Sequence, residues 1–495
     1  MGHFIWAAVY TTIIAGMSLY GIHRYVILYL YWKNRKRVPQ PEQHFAELPQ
    51  VTVQLPIFNE YFVVERLLES VSQLDYPKDR LQIQVLDDST DDTRELVQTV
   101  VAKLAAQGFD IELRHRVDRT GFKAGALDEG MASAKGEYIL ILDADFVPPA
   151  DLLRRTIHFF TNPNTGMVQT RWGHLNRDYS LLTRVQALYI DAHFVLEQTA
   201  RSRSGRFFNF NGTTGIWRKS CIVDAGGWQH DTLTEDLDLS YRAQLEGWRF
   251  IYLNDVVTPA ELPVEINGFK SQQHRWAKGS VQTCLKLLPA LWRSKLPFLL
   301  KVEGTAHLTS YFISLLLVIY CLLIWPTLAP VHHSWMHAIF IDAPMFLITS
   351  IPFILYYLMA QKQLNPRGWV RELVLVPFMI SIGVGVSLNN TRAVLEALFR
   401  HESHFIRTPK YGINAKGQSW RRGRYSPLKS ILIAVEILFA AYFMGLTYHA
   451  WDEKNYSSLL FLILFTCGFL YVAFKSIAQW LPKFGERGPQ DAVPA

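Results

Sequence analysis

Apolar runs long enough to cross a bilayer stand on both sides of a polar middle, and nothing else constrains this 495-residue chain as much. About 20 consecutive apolar residues span the hydrocarbon core, and residues 4–32 supply the first such run. Others follow at 303–328, 337–360, 428–450 and 456–478. Between them, residues 35–297 read as an ordinary soluble domain, and a polar tail at 481–495 is expected to be disordered. Basic runs lie beside the apolar ones: "KNRKR" at 33–37, "RGWVRE" at 367–372 and "RRGR" at 421–424. Such runs mark the cytoplasmic side. The apolar stretch from Glu372 is read as interfacial or re-entrant, because a crossing there would put the basic 400–428 segment outside. The expectation is therefore a multi-pass protein with five crossings in the lipid bilayer. Residues 1–34 are its first helix and basic linker, 298–480 its membrane region, and the soluble domain is cytoplasmic. The membrane is a bacterial inner membrane or one of the eukaryotic secretory pathway. Arg24 interrupts the first run and is expected to snorkel to the inner headgroups. A net charge of +7 with no basic patch on the soluble part argues against nucleic acid as a partner. Cys221, Cys284, Cys321 and Cys467 lack metal-ligand spacing and read as apolar fillers.

Within the soluble part strands and helices alternate. "VTVQLPIFN", "LQIQVLDDS", "DIELRHR" and "EYILILDADF" read as strands, each followed by a helix. That order predicts a parallel sheet with helices on both faces, which binds ligands at the carboxyl ends of its strands. The acids fall there. Asp87 and Asp88 end the second strand, where a helix cap explains them as well as a ligand does. Asp143 and Asp145 follow four apolar residues, and a two-residue period points both to one side. Neighbouring carboxylates repel, so they need a cation or separate tasks. A hard divalent ion, Mg²⁺ or Mn²⁺, holding a diphosphate meets that need. In "TLTEDLDLSYR", Thr234 can cap a helix whose positive end suits Glu235 and Asp236. A carboxylate there can also take the proton of an attacking hydroxyl. Lys123 stands among small residues in "GFKAGA", and Gly212 and Thr213 lie in the glycine-broken "FNGTTGIWR". Gln272, Arg275 and Trp276 share one face of a helix at i, i+3 and i+4.

In order and spacing these motifs resemble the membrane-bound inverting glycosyltransferases of family 2, which include the cellulose synthases. The resemblance covers residues 50–295, with a weaker extension to about 412. "FNGTTGIWR", "AELP" and "QQHRW" are most similar to plant glucomannan and xyloglucan-backbone synthases and their bacterial relatives. The resemblance implies an α/β domain of the glycosyltransferase A type, Rossmann-like, joined to an α-helical transmembrane region. It assigns the nucleotide sugar to Asp87, Asp88, Lys123, Asp143, Gln272 and Arg275, and the metal to Asp145. Asp236 becomes the general base beside Glu235, and Trp276, with Gly212 and Thr213, receives the acceptor. "HFIRTPKYG" is similar to a gating loop of the pattern F-x-V-T-x-K: Phe405, Thr408 and Lys410 match, and Arg407 replaces the Val. The implied activity is processive transfer of a hexose, with inversion, to a growing β-glucan or mannan that is exported through the membrane region. A single addition to a lipid acceptor is the alternative, and a non-catalytic sugar-binding membrane protein is a third. UDP-glucose is the favoured donor and GDP-mannose the other. Partner subunits are not legible.

Overall fold

The computed structural model describes residues 2–325, 343–401, 407–420 and 432–479; Phe405 and the 481–495 tail lie outside them. Strands β1 (Val51–Ile57) and β2 (Leu81–Asp87) form where the sequence predicts strands and are buried along almost their whole length. Val51, Val53 and Leu55 pack on the apolar stripe of helix Val64–Ser72. The other face of these strands is polar yet buried. There Thr52 donates to Gln82 Oε1 (2.8 Å), Gln54 to Gln84 Oε1 (3.0 Å) and Gln84 to Ser133 Oγ (2.7 Å). This ladder pairs its donors and leaves over the Gln54 Oε1 acceptor, so helix Phe122–Ser133 can cover it without leaving unpaired donors. That cover places Lys123, at the helix start, beside the ends of the strands.

Strands β3 (Asp110–His115), β4 (Tyr138–Ile141), β5 (Thr165–His174), β6 (Gly215–Arg218) and β7 (Arg249–Ala260) complete a seven-stranded sheet of order β3-β2-β1-β4-β6-β5-β7. The expected wholly parallel sheet is corrected at β6, which runs antiparallel to both β4 and β5. The connection from β5 does not return past the sheet. It stays at the carboxyl end, where Gly212 meets Lys123, so β6 starts there and must run the other way.

Among the described residues four helices are long and apolar enough to cross a membrane: Ala8–Asn34, Trp369–Leu398, Ile433–Asp452 and Ser458–Ala478. The pair Phe298–Leu308 and Phe312–Leu323, bent by 61°, makes a fifth if counted as one span. By length and composition this set differs from the expected crossings in two places. It includes Trp369–Leu398, and it omits helix Ala343–Leu364, which covers the described part of the 337–360 run. The half-buried Arg24 guanidinium lies 4.3 Å over the Tyr356 ring and 3.7 Å from Glu197, so a carboxylate and an aromatic face serve this cation within the protein.

Helix Ile266–Arg293 joins the two regions. Near its start Lys270 pairs with Glu436 of helix Ile433–Asp452, both buried, and Asn389 Nδ2 donates to the Lys270 carbonyl at 2.8 Å. Lys270→Met is expected to destabilise the protein by about 3–5 kcal/mol, because it strands a buried carboxylate. Thermal unfolding in detergent measures this, and adding Glu436→Leu should recover most of the loss.

Candidate active site

A cavity of about 210 Å³ opens at the carboxyl ends of β1, β2 and β4, under helix Ile266–Arg293. Asp88, Lys123, Asp143, Asp145, Gly212, Glu235, Asp236, Gln272, Arg275, Trp276, Thr408 and Lys410 all line it. These come from seven separate stretches of sequence, and the fold brings them to one place.

Two residues expected at the site sit behind it. Asp87 is fully buried; its Oδ2 lies 2.8 Å from His115 Nδ1, and its Oδ1 accepts the Ser89 N–H at 3.0 Å. It fastens β2 to β3. Thr213 is also buried, and its Oγ1 accepts the Asp143 N–H at 2.9 Å, which orients that acid. Asp88 does line the cavity, held by both Nε (2.8 Å) and Nη2 (2.7 Å) of Arg116. Beside it the Arg119 guanidinium lies 3.3 Å over the Phe58 ring.

The paired acids reach the cavity by a different route from the one expected. β4 ends at Ile141, and Asp143 and Asp145 stand in a turn closed by the Phe146 N–H on the Asp143 carbonyl (3.1 Å). The turn, not a strand period, aims both inward. Each carries a lysine: Lys123 Nζ is 2.5 Å from Asp143 Oδ1, and Lys410 Nζ is 2.6 Å from Asp145 Oδ2. Lys123 also donates to the Gly212 carbonyl at 2.9 Å. Gly212 has φ +81°, and a Cβ there would lie 3.1 Å from Asp236 Oδ2, so this approach suits glycine.

Glu235 and Asp236 open helix Glu235–Leu245. Thr234 does not cap it; its hydroxyl lies 3.3 Å from that of Thr283, and a Cβ on Gly279 would come 2.5 Å from Thr234 Cγ2. Thr234 thus packs the acidic helix tightly against helix Ile266–Arg293. Burial pushes the Asp236 carboxyl up to about 7, and the Glu235 charge adds to this, while the Leu237 N–H and Lys123 oppose it. Arg275 lies in the field of Glu235, Asp143, Asp236 and Glu60, and its Nη2 is 3.5 Å from Thr408 Oγ1.

Sequence reasoning missed Glu60, Arg116, Arg119 and Glu261. Glu60 follows β1 as Asp88 follows β2, so the carboxyl-end rule would have found it. Arg407, which stood out only as a departure from the loop pattern, pairs with Glu60 at 2.7 Å. Burial pushes Glu60 up to about 7 as well, with Arg407 opposing.

An acid that must accept a proton is inactive while protonated. If Asp236 is the base, kcat/KM is expected to climb about tenfold per pH unit below its pKa and then level off. With the carboxyl at about 7 the plateau begins just above neutrality. Rates across pH check this, and Glu60→Gln should leave that limb in place, since Glu60 faces Arg407.

Among the described residues no cluster of three His, Cys, Asp or Glu side chains is arranged to hold a metal by itself. Asp145 offers one hard carboxylate, and the Lys410 ammonium on it shows that the position takes a cation. This fits Mg²⁺ or Mn²⁺ held by one carboxylate and completed by substrate phosphates.

Acids at the carboxyl ends of a mixed α/β sheet, over a cavity rich in lysine and arginine, define a glycosyltransferase of the A type. The family model described as "Glycosyltransferase like family 2" matches residues 49–279, and that described as "Cellulose synthase" matches residues 218–365. Among similar proteins, glucomannan 4-beta-mannosyltransferase 1 of Oryza sativa subsp. japonica is 35% identical, over 88% of this chain and 80% of that one. Glucomannan 4-beta-mannosyltransferase 2 of Arabidopsis thaliana is 33% identical, over 92% and 88%. A mannosyltransferase of Pyrobaculum calidifontis, solved with GDP-Man and Mn²⁺, shares the fold: TM-score 0.54 and 22% identity, covering 80% of this chain and 100% of that one. The chain belongs to the family 2 glycosyltransferases, in their cellulose synthase-like branch.

Proposed function

We propose that this protein elongates a β-1,4-linked mannan or glucomannan, taking mannose from GDP-mannose with inversion and passing the product through its membrane region. The observation that carries this is the meeting of Asp236, Lys123, Arg275 and Trp276 on one cavity. These are a poised base, two phosphate-binding cations and an apolar platform for a pyranose. The relatives' names, which specify mannose, favour GDP-mannose over the UDP-glucose expected from sequence.

Phe58 and Arg119 offer the nucleobase a flat surface at the Asp88 end of the cavity. Lys123 and Arg275 receive the diphosphate by charge-assisted hydrogen bonds. A divalent cation, when bound at Asp145, neutralises charge on the leaving diphosphate. Trp276 stacks on the terminal sugar and Gln272 orients it. Asp236 then takes the proton of the acceptor hydroxyl as that oxygen attacks the anomeric carbon. The C–O bond to the diphosphate breaks, and an α-linked donor yields a β-linkage.

The test is a donor screen on the purified protein with Mn²⁺ or Mg²⁺. GDP release from GDP-mannose, with a long product digested by β-mannanase, is expected. Release of UDP from UDP-glucose instead would overturn the donor, and a single sugar on lipid would overturn processive growth.

A further inference from the structure

The second carboxylate of "DAD" already holds a cation that the chain itself supplies from 265 residues away. Lys410 Nζ donates to Asp145 Oδ2 at 2.6 Å and to the Glu261 carbonyl at 2.7 Å. Both side chains are enclosed, with Asp145 6% and Lys410 9% exposed. The backbone that presents Lys410 is fixed. The Glu261 carboxylate accepts the N–H groups of Tyr411 (2.9 Å), Gly412 (2.9 Å) and Ile413 (3.2 Å). Gly412 has φ +68°, and a Cβ there would come 2.8 Å from the Phe62 carbonyl oxygen, so the turn excludes any side chain. Arg66 completes the support, donating to Asn414 Oδ1 at 2.7 Å and to the Asp145 carbonyl at 3.4 Å.

We propose that Lys410 is the resident counter-ion of Asp145, and that Lys410 and a divalent cation exclude each other at this carboxylate. A hard ion such as Mg²⁺ sits about 2.0–2.1 Å from its oxygen ligands, and an ammonium on that oxygen occupies the same place. Metal alone would have to expel Lys410 from its hydrogen-bonded carboxylate and leave the buried ammonium only the more distant charges of Glu60 and Glu261, which is unfavourable. A nucleoside diphosphate changes this, because the displaced ammonium gains phosphate oxygens. Metal and nucleotide therefore bind with positive coupling, and each strengthens the other by the same factor. The inference rests on the diphosphate and cation of the proposed function, and not on which sugar is transferred.

Mn²⁺ binding to the full-length protein in nanodiscs, followed by electron paramagnetic resonance, tests it. In the wild type GDP is expected to tighten Mn²⁺ binding by about five- to 150-fold, the usual span of such coupling. Lys410→Met should bind Mn²⁺ alone about tenfold or more tighter than wild type, and show a smaller GDP effect, the remainder coming from direct ligation of the ion by the phosphates. Asp145→Asn added to Lys410→Met should abolish the gain. Equal affinities of wild type and Lys410→Met for Mn²⁺ alone would overturn the proposal. So would a gain that survives Asp145→Asn, because the ion would then sit elsewhere. Thermal unfolding reports whether each variant is folded, and Lys410→Gln repeats the test if the Met variant is not. The metal-alone arm contains no nucleotide, so its result does not depend on whether GDP-mannose is the donor.

Discussion

Replacing Asp236 by Asn is expected to lower kcat by about 10²- to 10⁴-fold, the usual contribution of a positioned general base, with GDP bound as tightly as before or more so. Asn keeps the shape of the side chain and can still accept the Leu237 N–H, now 2.8 Å from Asp236 Oδ1. What it loses is the ability to take a proton. The carboxyl of Asp236 is raised to about 7 by burial and by Glu235, so in the native protein it is a stronger base than an ordinary aspartate. The same substitution removes one negative charge from a group that includes Glu235 and Asp143, which relieves repulsion against a diphosphate. Single-turnover rates and GDP titration separate the two effects. Loss of GDP binding would make Asp236 a structural residue and remove it from the chemistry.

Arg275→Ala is expected to lower kcat by about 10²- to 10³-fold, as removal of one preorganised donor to developing charge does. Its guanidinium lies in the field of Glu235, Asp143, Asp236 and Glu60, four acids that favour a positive charge in the cavity before any substrate arrives. A cation placed in advance stabilises a leaving diphosphate without reorganising. Arg275→Lys should recover only part of the rate, because a point charge does not reproduce the planar fork. The decisive readout is the division between kcat and KM. A raised donor KM with unchanged kcat would show that Arg275 grips the ground state alone, and the leaving-group role would be lost.

Much of this site was legible because its signals are local. Strand-like apolar runs that end in acids marked Asp88, Asp143 and Asp145. The i, i+3, i+4 spacing put Gln272, Arg275 and Trp276 on one helix face, and all six line the cavity. Asp87 and Asp88 were indistinguishable in sequence. Pairing of β2 with β3 separated them, bringing His115 to Asp87 and Arg116 to Asp88.

The sequence by itself determined where strands β1 to β4 and most of the apolar helices form, since periodicity and side-chain sterics act over a few residues. It also determined which strand ends carry acid. Tertiary structure alone decided the direction of β6, the inward turn of Arg24 toward Glu197, and the partner of each carboxylate. Lys123 reaches Asp143 across 20 residues and Lys410 reaches Asp145 across 265. A buried charge takes whichever opposite charge the completed packing brings within reach, and no local pattern encodes that choice.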